Sequence, residues 1–226
     1  MGRRTGKLPK LIIFDLDGTL LDTEPISIKA WIQAGQEYGV SLKEEQFHPY
    51  IGRNAQSIQD LSKDLFGPGF PFEEIYQRKK AICQEHYTRG IPMKPGVQEL
   101  LGALRDLEIR ACVATSSAKV RSEEFLERND LLRYFEFLIS GEEVIHSKPD
   151  PEIFNRCLTR AGVKETEAMI VEDSRNGIIG ARRSGAQTVL IPDLIRPDEQ
   201  MREHADLMFD SLFEFRDHIL TLAATM

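Results

Sequence analysis

Residues 11–19 read Leu-Ile-Ile-Phe-Asp-Leu-Asp-Gly-Thr. Four apolar residues, two of them β-branched, make a short buried strand. The strand runs out on Asp15, and Asp17 follows one residue later. In a pleated strand residues two apart share a face, so the two carboxylates are expected to converge. They do so just past a strand's carboxyl end, where open α/β sheets bind ligands. Gly18 then permits a sharp turn and a close approach of backbone. Adjacent carboxylates repel and invite a cation or a shared proton. An ordinary polar turn is the competing account of Asp-x-Asp-Gly taken alone.

The rest of the chain sets this strand in a repeating scheme. After residue 90 strands and helices alternate. Val97, Leu100, Leu101, Leu104 and Leu107 mark a helix face, Ile109–Ala114 a strand, and Ala118–Asn129 a polar helix. Phe135–Ile139, Ala168–Val171 and Thr188–Ile191 read as further strands, with helices opening at Pro151 and after Ser174. Asp150 is placed to cap the first of these helices, and Ser211-x-x-Glu214 forms a capping box for the last. This rhythm predicts an α/β fold, a parallel sheet with helices on both faces.

Residues 23–89 break the rhythm and contain no convincing strand. Ala30, Trp31, Ala34 and Tyr38 form one helical stripe, and Ser41-x-x-Glu44 is a capping box for a second helix. Ile58, Leu61 and Leu65 mark a third helix, stopped by Gly67-Pro68-Gly69; Ile75, Ile82 and Cys83 mark a fourth. Trp31 reads simply as core of this bundle. The expected division is a core of residues 1–22 and 90–226 with a helical block, 23–89, inserted between two hinges near Thr23 and Gly90–Pro92.

Three more clusters fall at predicted strand ends. Thr115-Ser116-Ser117 offers hydroxyls and free amides at a helix start, an anion site or a plain helix cap. Lys148 is flanked by Pro149 and Pro151, which restrict the backbone and aim the ammonium; a solvated lysine is the plain alternative. Glu172 and Asp173 end an apolar strand, where two acids are costly without a counter-charge, although Asp173 or Ser174 could simply cap the next helix. If Asp15, Asp17, Glu172 and Asp173 meet, like charges ~4 Å apart cost roughly 4 kcal/mol per pair at an effective dielectric of ~20. An all-oxygen site with few protein ligands suits Mg²⁺. Lys148 and the Thr115–Ser116 amides are expected on the other side, with a phosphoryl-sized gap between.

Bulk properties narrow the partners. The chain has 226 residues and a net charge of −7, so nucleic acid is not expected. No apolar run approaches the ~18 residues of a membrane span, and none after the basic first ten residues suits a secretory signal. Those ten residues read as a frayed basic tail. Cys83, Cys112 and Cys157 are widely spaced, as in a reduced, cytoplasmic protein. His48, His86, His146, His204 and His218 show no metal-ligand spacing. A monomer is the default expectation.

Phe14-Asp15-Leu16-Asp17-Gly18-Thr19, Val113-Ala114-Thr115-Ser116, Lys148-Pro149-Asp150-Pro151 and Val171-Glu172-Asp173-Ser174 resemble, in order, the four signature motifs of the haloacid dehalogenase superfamily. The helical insert resembles the cap of the subgroup containing β-phosphoglucomutase and many small-molecule phosphatases. The resemblance implies a Rossmann-like core with an inserted helical cap. It implies that Asp15 attacks phosphorus and becomes an aspartyl-phosphate, and that Asp17 is the general acid and base. For that role a raised pKa is expected, supplied by nearby carboxylates. It implies Mg²⁺ held by the Asp15 carboxylate, the Asp17 carbonyl and Asp173, with Glu172 close by, and a phosphoryl group held by Thr115, the Ser116 amide and Lys148. Asp17 argues against a dehalogenase, which has no leaving oxygen to protonate. Thr19 and Ser27 stand where β-phosphoglucomutase carries Val and His, and Ala55 where it carries an Arg, with Arg53 nearby. The expected activity is therefore hydrolysis of a small phosphorylated metabolite, with a phosphosugar mutase as the alternative. Arg53 and Lys79 are candidate substrate readers, or else solvated side chains.

Overall fold

The computed structural model describes residues 7–225; the first six residues, where most of the expected basic tail falls, lie outside the described residues. Six parallel strands form one sheet in the order β3-β2-β1-β4-β5-β6. They are β1 (Leu11–Phe14), β2 (Arg110–Thr115), β3 (Leu138–Ser140), β4 (Ala168–Glu172), β5 (Gln187–Leu190) and β6 (Leu207–Met208). The core helices are α4 (Val97–Asp106), α5 (Lys119–Arg128), α6 (Glu152–Ala161), α7 (Arg175–Ser184), α8 (Glu199–His204) and α9 (Leu212–Ala224). The fold is α/β and Rossmann-like.

Strand periodicity divides the core in two. Ile12 and Phe14 of β1, Ala111 and Val113 of β2, and Met169 and Val171 of β4 face one apolar cluster; Leu11, Ile13, Cys112, Ala114, Ala168 and Ile170 face the other. Both faces of a parallel sheet are thereby covered, which is why its strands read as unbroken apolar runs. The strand order reverses between β1 and β4, so their carboxyl ends open a crevice at that point.

Between β1 and α4 lie α1 (Glu24–Glu37), a 3₁₀ segment (Glu44–Tyr50), α2 (Ala55–Phe66) and α3 (Phe72–Tyr87). Trp31 is 2% exposed and stacks on Phe47 at 5.6 Å, with Tyr50, Phe72 and Tyr76 packed around it. Its apolar residues join the same cluster as one face of the sheet.

Local chemistry accounts for the departures from the expected elements. The Ser41 capping box does not form: Lys43 N donates to the Gln46 side chain at 2.7 Å, and Pro49 lies inside the 3₁₀ segment, where it supplies no N–H to continue a helix. Tyr38 and Leu65 are exposed rather than buried. At the last helix Ser211 Oγ accepts from Glu214 N at 3.2 Å, but Glu214 reaches back to Asp210 N rather than Ser211 N. Asp150 accepts from Glu152 N at 2.9 Å, so α6 starts one residue later than expected. The strand expected at Phe135–Ile139 is only Leu138–Ser140, and α8 and β6 were not anticipated.

Candidate active site

Asp15 leaves β1 at the sheet's reversal point, and Glu172 and Asp173 end the neighbouring β4. Carboxylate oxygens of these three residues lie within 4.8 Å of one another. Lys148 enters from the loop before α6, with its side chain 2% exposed. Its ammonium donates to Asp15 Oδ1 at 2.5 Å, Glu172 Oε1 at 2.6 Å and Ala114 O at 3.0 Å. Lys148 is therefore neither solvated nor across a gap from the acids; it sits among them. Burial forces the pairing, since a lone charge in this crevice would lack water. The ammonium is driven firmly towards its charged form: burial opposes this, and the Asp15 and Glu172 charges outweigh it. Burial, together with neighbouring carboxylate charge, pushes the pKa of both Asp15 and Asp173 well up, for Asp15 against the pull of the Lys148 charge.

Thr19 Oγ1 donates to Asp173 Oδ1 at 2.9 Å, and Ser174 Oγ to Glu172 Oε2 at 3.1 Å. Gly18 turns the chain with φ +88°, and a Cβ there would stand 2.5 Å from Asp173 Oδ2. With one oxygen of Asp15 on Lys148 and one of Asp173 on Thr19, each keeps a second oxygen for a ligand. This all-oxygen, net-negative donor set fits a hard divalent ion such as Mg²⁺.

Asp17 departs from the expectation. Its carboxylate is not in the three-acid cluster but accepts from Thr23 Oγ1 at 2.6 Å, Ser117 Oγ at 2.6 Å and Arg121 Nη2 at 2.9 Å. Burial raises its pKa, but the Arg121 charge and the two hydroxyls hold the carboxyl below the usual carboxylate range. The expected upward shift from neighbouring acids is thus corrected, because the chain turns Asp17 towards the loop after β2.

A cavity of about 520 Å³ opens from Asp15 and Asp17 into the helical block. Thr115 and Ser116 line it, as do Arg53 and Lys79. Thr115 is buried and its Oγ1 accepts from Ser117 N at 3.0 Å, while Ser116 Oγ faces Gly52 O at 3.4 Å. Arg53 Nε donates to Pro49 O at 2.8 Å, and Asn54 caps α2 by accepting from Ser57 N. Lys79 lies 5.9 Å from the Trp31 ring centroid, and Trp31 itself lines the cavity. Ser117 joins this region from the Thr115–Ser117 cluster, and Thr19, Thr23, Arg121 and Glu24 join it without having been singled out as site residues. For Arg121 a signal existed: it follows that cluster by four residues, in the first turn of α5.

A larger groove, about 770 Å³, lies along α6 and contains none of the clustered acids. There His146, Asp150 and Glu152 bring ligand atoms within 4.8 Å, which corrects the expectation that no histidine has metal spacing. The loop folds back so that Glu152 accepts from His146 N at 2.8 Å, and Arg156 already neutralises that carboxylate at 2.6 Å. Among the described residues no helix is long and apolar enough to cross a membrane.

Comparison with known proteins gives one consistent family. The family model of haloacid dehalogenase-like hydrolases matches residues 12–191. A phosphorylated carbohydrates phosphatase of Thermotoga maritima is 29% identical over 178 residues, 79% of this chain and 82% of that protein. A phosphoglycolate phosphatase of Vibrio parahaemolyticus is 31% identical over 190 residues, 78% of this chain and 80% of that protein. The β-phosphoglucomutase structure from Clostridium difficile superposes with a TM-score of 0.78 at 19% identity, covering 97% of this chain and 100% of that one, a likeness of fold. The motif-bearing strand ends, the reversal-point crevice and the match over most of its length make this chain an enzyme of the haloacid dehalogenase-like hydrolase family.

Proposed function

We propose that the protein is a phosphatase acting on a small phosphomonoester, and that the reaction passes through a phosphorylated Asp15. The observation that carries this reading is the buried Asp15–Lys148–Glu172–Asp173 cluster, which meets the cavity at Asp15. It offers a nucleophilic oxygen, an anchored cation and an ion site within a few ångströms. Relatives named as phosphatases support the same reaction class.

In the first step an Asp15 carboxylate oxygen attacks phosphorus, the ester P–O bond breaks, and Asp17 gives its proton to the leaving oxygen. In the second, water attacks the acyl-phosphate phosphorus. Asp17 takes the water's proton, inorganic phosphate leaves, and the Asp15 carboxylate returns. Lys148 orients Asp15 and offsets charge that grows on the phosphoryl oxygens, and Thr115 and the Ser116 amide contact those oxygens. Asp15, Asp173 and the Asp17 carbonyl would hold Mg²⁺, with Glu172 nearby; when bound, the ion supplies positive charge to the phosphoryl oxygens. Asp17 must leave its present hydrogen bonds to reach the ester oxygen, and movement of residues 23–89 as a cap about Thr23 and Gly90–Pro92 is the natural occasion. Arg53 and Lys79 then face the substrate body.

The test is phosphate release from para-nitrophenyl phosphate and a panel of phosphometabolites, with and without magnesium. Magnesium-dependent release is expected, falling roughly a thousandfold or more in Asp15→Asn. Unchanged turnover in that variant removes Asp15 as nucleophile, and isomerisation of a sugar phosphate without phosphate release turns the reading to a mutase.

A further inference from the structure

The reaction steps above leave one cation of the cavity without a task and another only loosely assigned. Arg121 lies in the first turn of α5, and its guanidinium donates to Ser117 Oγ at 2.7 Å and to Asp17 Oδ1 at 2.9 Å. The same group rests over the Phe125 ring at 4.7 Å and the Tyr87 ring at 5.8 Å, so aromatic walls fix its plane. It lines the cavity with its side chain 38% exposed, so an incoming group can reach it. Lys79 of α3 lines the same cavity. It is half-buried over Trp31, and among the described residues no carboxylate lies within ion-pair distance of it. A half-buried ammonium without an anionic partner is a standing cost that an anionic ligand would relieve.

We infer that the substrate carries a second anionic group, a carboxylate or a phosphate, and that Arg121 and Lys79 bind it. The inference rests on the phosphatase reading for the placement of the first phosphate. Asp15, Asp17, Arg121 and Lys79 line one cavity of about 520 Å³, and Cα atoms two residues apart are at most about 7 Å apart, so both anionic groups belong to one small substrate. A guanidinium held flat presents a fork suited to bidentate binding of carboxylate or phosphate. An anion seated there competes with Asp17 for the guanidinium, so a substrate with the second charge also draws Arg121 away from Asp17. If Arg121 merely tied α5 to Asp17, no discrimination by ligand charge would result.

The experiment is calorimetric titration with non-hydrolysable phosphonates, magnesium in excess. Phosphonoacetate carries the second charge, phosphonoacetamide is its neutral isostere, and methylene diphosphonate carries a phosphonate in its place. Native protein is expected to bind phosphonoacetate or the diphosphonate at least about tenfold more tightly than the amide, as a charge-assisted hydrogen bond allows. The tighter of the two anions identifies the group. Arg121→Met is expected to close the gap, Arg121→Lys to keep part of it, and Lys79→Met to narrow it. Equal binding of both anions and the amide by native protein overturns the inference, with no variant needed; so does a full gap in folded Arg121→Met. Binding requires no turnover, so a failure of phosphate release counts against the reaction and not against this recognition.

Discussion

Lys148 shows how much one side chain decides here. It supplies the only ammonium hydrogen-bonded to two buried acids among the described residues. Removing one partner of such a group leaves uncompensated buried charge, which costs about 3–5 kcal/mol. Lys148→Met is therefore expected to lower stability in urea by that order without metal, and magnesium should restore part of the loss by taking the ammonium's place among the acids. Equal loss with and without magnesium would mean that these acids do not hold an ion. That Asp15, Glu172 and Asp173 lie together was legible in the sequence, because each follows directly from a strand end; Lys148 was expected across a gap from them and instead sits among them. The orientation of Asp17 was not legible. It depends on Thr23, before α1, and on Ser117 and Arg121, at the start of α5, two segments distant in sequence with no pattern pointing at one carboxylate.

At the scale of elements, α1 begins with an acid in an unusual setting. Glu24 stands in the first turn, where a helix N-terminus favours the charged form. Burial, and then the Asp17 charge, nevertheless push its pKa from 4.5 up to about 7. Between these two values the folded chain holds a proton that the unfolded chain has lost, so stability must fall as pH rises through this window. Glu24→Gln is expected to flatten that part of the profile of melting temperature against pH and to raise stability above neutrality; an unchanged slope would place Glu24 in water. The same burial explains which elements could be read. Strands β1, β2 and β4 are covered on both faces and appear as apolar runs. At the sheet's edge β6 has two residues, one of them half-exposed, and α8 has six, too few for periodicity to register. In the helical block the aromatic residues packed around Trp31 of α1 come from two other segments, the 3₁₀ segment and α3, so sequence showed the helices without showing their shared core.

For the molecule as a whole, the question is how the helical block seats on the sheet above the acids. Gly52, in the loop before α2, is one such contact. Its φ is +75°, and a Cβ there would meet Ser174 Oγ at 2.5 Å. Ser174 is held in place from behind, since it caps α7 through Gly177 N and donates to Glu172. The side chain added by Gly52→Ala therefore has no free direction: either the loop rises from the core or the Ser174 cap is lost. Loss of the cap would appear as destabilisation of about 1 kcal/mol beyond the backbone cost of a left-handed residue, itself about 1–2 kcal/mol. Lifting the loop would move Arg53 and Asn54 away from the cavity and open it to water. A loss of about 1.4 kcal/mol in substrate contacts corresponds to a roughly tenfold rise in KM. Because Asp15, Lys148 and Asp173 lie on the sheet side, kcat should fall by less than KM rises. Steady-state kinetics on Gly52→Ala, beside its urea midpoint, separate the two outcomes. A variant with native kcat and KM and only the backbone cost in stability would show that seating of this loop plays no part in catalysis.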